Sequence, residues 1–148
     1  MKPACRFIGI GSPFGADQLG WESLDQIQTI YQDNEKFEFL KLDRPGSDLI
    51  RHLQNIDQVI LIDAIQSGIQ AGDPISLSID DIKTNPALTS SHDFSLAETL
   101  TMAATLKKLP NDLLIIGIEA GNNIQEIPKI NMNKLRQILD DFILVNKI

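Results

Sequence analysis

The chain has 148 residues, 43% of them hydrophobic, which is enough for one domain with a substantial core and too short for two of ordinary size. Its formal net charge of −7 repels phosphate polyanions and sets nucleic acid aside as a partner. Cys5 is the single cysteine, so an internal disulfide and a cysteine-based zinc knuckle are both excluded. No apolar run reaches the roughly 18 residues of a bilayer span, and the apolar stretch of MKPACRFIGIG is too short for a signal peptide. The expectation is a single cytoplasmic domain over residues 1–148 that has no contact with a membrane.

In chain order, CRFIGI predicts a short buried strand that stops at Gly9 and Gly11, with Cys5 as a small core residue. Leu24, Ile27 and Tyr31 fall on one stripe of a helix from about Asp17 to Gln32. EFLKL is a second strand halted by RPG, and Leu49, Ile50 and Leu53 mark a brief helix. QVILIDA is a continuous apolar run of the kind buried on both faces of a sheet. The turn-rich SGIQAGDP follows, and then ISLSI, whose alternation predicts a half-exposed edge strand that can run antiparallel. Residues 80–90, polar and carrying Asn85-Pro86, read as a loop. SSHDFSLAETLTMAATLKKL opens with a capping signal, carries a stripe through Leu96, Leu100 and Ala103, and places Lys107 and Lys108 in its last turn. LLIIGI is the last buried strand, and Leu135, Ile138, Leu139 and Phe142 define a closing amphipathic helix.

Strands alternating with helices, without a linker or repeat, imply an α/β domain with a mostly parallel sheet covered by helices on both faces. In such a sheet the functional crevice lies beyond the carboxyl ends of the strands, near a topological switch point. Asp17, Asp43, Asp63, His92 and Glu119 each stand just past a strand or at the start of a helix facing that edge. Singly, each has a plain reading: Asp17 as a helix cap, Asp63 as a turn-capping acid, His92 as a surface residue. Asp63 stands out because an ionised carboxylate after so apolar a run is costly unless hydrogen-bonded or paired with a cation. Asp17, Asp63 and His92 on one edge make a donor set for a borderline divalent metal; nickel, zinc and iron all fit.

Other chemistries fit less well. GIGSPFG lacks the dinucleotide-binding glycine spacing because Phe14 stands where the third glycine belongs, and Asp17 would put negative charge near a phosphate. No Gly-x-Ser-x-Gly nucleophile elbow occurs. Trp21 reads as a packing residue, and His52 is given no role.

Taken in order, GIGSPFGADQLG, VILIDAIQSGIQAGDP, SSHDFSL and IIGIEAG resemble the landmarks of the hydrogenase maturation proteases over roughly residues 5–121. The family's opening loop reads Gly-x-Gly-Asn-Pro-Leu-x-x-Asp-Asp-Gly-x-Gly, and here it is one residue shorter. Ala120 stands where the family has Pro after the Glu of its last landmark. The resemblance implies a three-layer fold with a twisted, mostly parallel five-stranded sheet between helices. It also implies an aspartic-type endopeptidase that trims the C-terminal extension of a nickel-iron hydrogenase large-subunit precursor once nickel is in place. Carried over residue by residue, the metal-binding trio is Asp17, Asp63 and His92, with Gln18 in place of Asp17 if the gap is closed further on. The nickel comes with the precursor, and no organic cofactor is implied. Asp17 or Asp63 would serve as general base for an attacking water, and Asp43 and Glu119 would border the crevice. Two other readings stay open: a metal-checking or precursor-binding protein that kept the fold without catalysis, and a nucleotide- or flavin-binding module.

Overall fold

The computed structural model describes residues 3–85, 88 and 95–148. Its elements are β1 (Cys5–Gly11), α1 (Leu19–Tyr31), β2 (Phe37–Asp43), α2 (Leu49–His52), β3 (Gln58–Ile65), β4 (Pro74–Leu77), α3 (Ile79–Thr84), α4 (Leu96–Thr105), β5 (Asp112–Glu119) and α5 (Met132–Val145). The strands form one sheet in the order β2-β1-β3-β5-β4. Pairs β1–β2, β1–β3 and β3–β5 are parallel, and β4 pairs antiparallel to β5, as the alternation of ISLSI suggests.

Side-chain alternation sends each strand's residues to two separate cores. Cys5 and Phe7 of β1, Ile60, Ile62 and Ala64 of β3, and Leu114, Ile116 and Ile118 of β5 pack under α1 and α5. Ile8, Ile10, Val59, Leu61, Ile65 and Ile115 pack on the other face, under α2, α3 and α4. This is a three-layer sandwich, and it explains why β3 reads as an unbroken apolar run: both faces are covered. Helix α1 lies unusually close to the sheet. A Cβ on Gly20 would stand 2.1 Å from the Ile10 carbonyl oxygen and 2.7 Å from that of Ile62, so only glycine allows this approach.

Three local expectations are corrected. Residues 80–90 are not all loop, because α3 occupies Ile79–Thr84. Ser78 accepts the Asp81 N–H while Asp81 accepts the Ser78 N–H, a reciprocal capping box, and Ile82 anchors the helix in the core. The following helix begins at Leu96, capped by Ser95 accepting the Glu98 N–H, and stops at Thr105, so Lys107 and Lys108 lie beyond it and Lys107 adopts a left-handed φ of 57°. Asp17 does not cap α1 either. It lies in a 3-10 turn, Gly15–Gln18, and Gln18 holds the cap position without a side-chain capping bond.

Candidate functional site

The order β2-β1-β3-β5-β4 places the topological switch between β1 and β3: the chain leaves β1 toward β2 and leaves β3 toward the opposite edge. Asp17 follows the first of these strands and Asp63 sits near the end of the second, so the two acids flank the crevice that this topology opens.

The first loop is held from within. Ser12 N–H donates to the Asp17 carbonyl (3.2 Å), Asp17 N–H to that of Phe14 (3.0 Å), and Ala16 N–H to that of Ile124 (2.8 Å). Gly15, at φ 51°, would place a Cβ 2.2 Å from that same Ile124 oxygen. A phosphate-binding loop presents its N–H groups to the ligand; these three are used inside the protein, which removes the basis for a nucleotide or flavin site here. The Ser12 hydroxyl donates to Asp17 Oδ2 at 3.1 Å, fixing a half-buried carboxylate.

Asp63 is 6% exposed. It alternates with Leu61 and Ile65, and so shares their face of the sheet. The Ala64 N–H donates to its Oδ1 at 2.8 Å. Burial pushes its carboxyl up to about 8; the Ala64 N–H works against that shift, and the negative charge of Asp17 adds to it. No positive charge among the described residues enters this balance. A carboxyl group buried in this way is costly to ionise unless a cation joins it, and a carboxylate oxygen is a donor suited to a divalent ion. Among the described residues no three metal-ligating side chains gather. His92, the third expected ligand, lies outside the described residues.

The two secondary candidates behave differently from each other. Asp43 ends β2 level with Gly11, is exposed, and pairs with its neighbour Arg44 at 2.7 Å. The Arg44 guanidinium lies over the Phe14 ring, 5.6 Å from its centroid. Glu119 is 2% exposed and points its carboxylate back into the protein. Its Oε1 accepts from the Ser67 N–H (2.8 Å) and hydroxyl (2.7 Å), and its Oε2 from the Gly121 N–H (3.0 Å). Burial works to raise its pKa, but these bonds, with one from the Gly68 N–H, outweigh burial and hold it below the usual carboxylate value. Glu119 is thus an internal latch on the loop after β3. Sequence reasoning missed that role: the β3–β5 register, which sets Ile65 beside Glu119, brings Ser67 to it.

A family model described as hydrogenase maturation protease (HycI) matches residues 22–134, a stretch that includes Asp43, Asp63, His92 and Glu119 and begins after Asp17. The hydrogenase expression/formation protein HupD of Bradyrhizobium diazoefficiens is 25% identical over 115 residues, covering 76% of this chain and 60% of that protein. HupD of Thiocapsa roseopersicina is 24% identical over 120 residues, covering 79% and 54%. The matched part of the chain therefore spans little more than half the length of these relatives. The structure of the hydrogenase-maturating endopeptidase HybD from Escherichia coli superposes with a TM-score of 0.61 at 20% identity, covering 95% of this chain and 88% of that one, so the two share a fold.

Proposed function

The chain belongs to the hydrogenase maturation protease family, and on that premise we propose that it is an aspartic-type endopeptidase acting in the cytoplasm. Its substrate in this reading is the nickel-loaded precursor of a nickel-iron hydrogenase large subunit, from which it removes the C-terminal extension. Asp17, Asp63 and His92 hold the precursor's nickel. The observation that carries the reading is Asp63, a buried acid whose ionisation is opposed both by burial and by the charge of Asp17. A divalent ion arriving with the substrate supplies positive charge and lets Asp63 release its proton. The charge that Asp63 feels from the first loop is that of Asp17, which favours Asp17 over Gln18 as the loop's ligand. The bound ion polarises the scissile region, and either acid can accept a proton from the attacking water.

Intact-mass spectrometry of a nickel-loaded precursor, beside a nickel-free control, tests the reading. Loss of one discrete C-terminal peptide from the loaded sample alone is expected, and Asp63→Asn and Asp17→Asn should each lower the rate by at least about a hundredfold. Nickel-dependent binding by the wild-type chain with no cut would leave a precursor-binding protein instead. Because Asp63 must lose a proton on binding the ion, precursor affinity should rise with pH up to about 8. A flat profile would remove Asp63 from the ligand set.

A further inference from the structure

Among the described residues the buried polar and charged side chains are those of Ser12, Ser23, Asp63, Thr99 and Glu119. A buried polar group is ordinarily hydrogen-bonded, and its partner tells what it does. The Thr99 hydroxyl donates to the Ser95 carbonyl of its own helix, Glu119 latches the loop after β3, and the Ser23 hydroxyl meets no partner among the described residues. Ser12 differs from all of these. It is 1% exposed, and its hydroxyl donates to Oδ2 of Asp17, one of the two acids that flank the crevice.

That bond adds nothing to the main chain of the loop. A serine that shapes a turn accepts a main-chain N–H on its hydroxyl. Here the turn is closed without the hydroxyl, by Ser12 N–H to the Asp17 carbonyl and Asp17 N–H to that of Phe14, bonds that any residue except proline at position 12 can make. The hydroxyl therefore acts on the carboxylate. Position 12 is itself fixed, because it follows Gly11, the last residue of β1, whose carbonyl accepts the Arg44 N–H. Ser12 thus ties Asp17 to the centre of the sheet at two points, main chain and side chain. At 3.1 Å the hydroxyl contact is longer than the usual distance of about 2.7–2.8 Å, so it sets direction more than it adds strength.

We propose that Ser12 is a positioning residue, whose hydroxyl holds the Asp17 carboxylate in the orientation in which it meets the metal carried by the precursor. This rests on the protease reading, which gives Asp17 that task. A short acidic side chain in a turn otherwise samples several rotamers, and a ligand fixed in advance binds more tightly because less freedom is lost on binding. Groups that hold a metal's ligands commonly change affinity or activity by about tenfold or more. A hydroxyl suits this work because it donates to the carboxylate without carrying charge. A lysine or arginine in its place would hold the acid and also weaken its pull on a cation.

Ser12→Ala removes the hydroxyl and leaves the main-chain bonds, whereas Ser12→Thr keeps a hydroxyl. Wild type and both variants would be crystallised without metal, and their cleavage of the nickel-loaded precursor followed by intact mass across precursor concentrations. Ser12→Ala should show the Asp17 carboxylate turned away or in several orientations over an unchanged 12–17 main chain, and its kcat/KM should fall on the order of tenfold. Ser12→Thr should hold Asp17 as wild type does and cleave within about threefold of it, even if its added methyl lowers Tm. An Asp17 carboxylate that keeps its wild-type orientation in Ser12→Ala overturns the proposal. So does cleavage by Ser12→Ala within about twofold of wild type, or a Ser12→Thr chain that holds Asp17 as wild type does yet is as impaired as Ser12→Ala. If wild type neither binds nor cuts the precursor, the protease reading itself fails, and the crystal structures still decide whether Ser12 orients Asp17.

Discussion

At Asp63 a carboxyl group sits where little water reaches it, and its titration sets how the protein's stability answers to pH. Folded, it binds its proton up to about 8; unfolded, it releases it near 4. Between those values the folded form holds a proton the unfolded form lacks, so stability falls as pH rises through that window. Asp63→Asn keeps an acceptor for the Ala64 N–H and removes the charge. It should stabilise the ion-free protein at pH 8 by about 2–5 kcal/mol, with the gain gone below pH 4, as denaturant titrations across pH will measure. Glu119 has the opposite sign. Its pKa is depressed, so its contribution is present above the unfolded value and lost as pH falls through the folded one. Glu119→Gln should lower Tm at neutral pH, with the gap narrowing under acid conditions. Both acids were legible as polar residues at the ends of apolar runs. What separates them was not legible: the donors around Glu119 come from Ser67, Gly68 and Gly121, and the β3–β5 register brings the first two there.

Among the elements, β1, β3 and β5 are the most legible because their apolar runs are long and buried on both sides. The boundaries of the helices are less so. Helix α3 hides as loop in the sequence since its six residues show too few apolar positions for a stripe; Ser78 and Asp81 are the available signal. Lys107 and Lys108 fit the dipole rule, yet α4 ends before them. The contact between α1 and the sheet gives a direct test. An Ala in place of an exposed helical Gly gains about 1 kcal/mol, but at Gly20 the new methyl meets the carbonyls of Ile10 and Ile62, which belong to the central strands and cannot easily yield. Gly20→Ala should therefore lower stability by about 1–3 kcal/mol net, measured by chemical denaturation. A neutral or stabilising result would mean that α1 rides higher on the sheet than described.

For the whole molecule, alternation along the strands implied two covered faces, whereas the order of the strands was not readable from periodicity. That order is what sets Asp17 and Asp63 on the two sides of one crevice. The adjacent residues Ile60 and Leu61 are both fully buried but belong to different cores. Ile60→Ala and Leu61→Ala should each cost about 2–5 kcal/mol. Because one sheet is the wall of both cores, calorimetry should still record a single transition in each variant.

Trp21 is the only tryptophan in the chain. Its indole N–H donates to the Leu42 carbonyl at 3.1 Å, and its ring edge lies about 3 Å from where a Cβ on Gly11 would stand, beside the Asp17 carbonyl. The protein thus has a built-in optical reporter at the root of the loop that carries its first acid. Movement of that loop would change the indole's surroundings and shift its emission, so the arrival of a metal-bearing partner could be followed in real time on the unlabelled, unmodified chain.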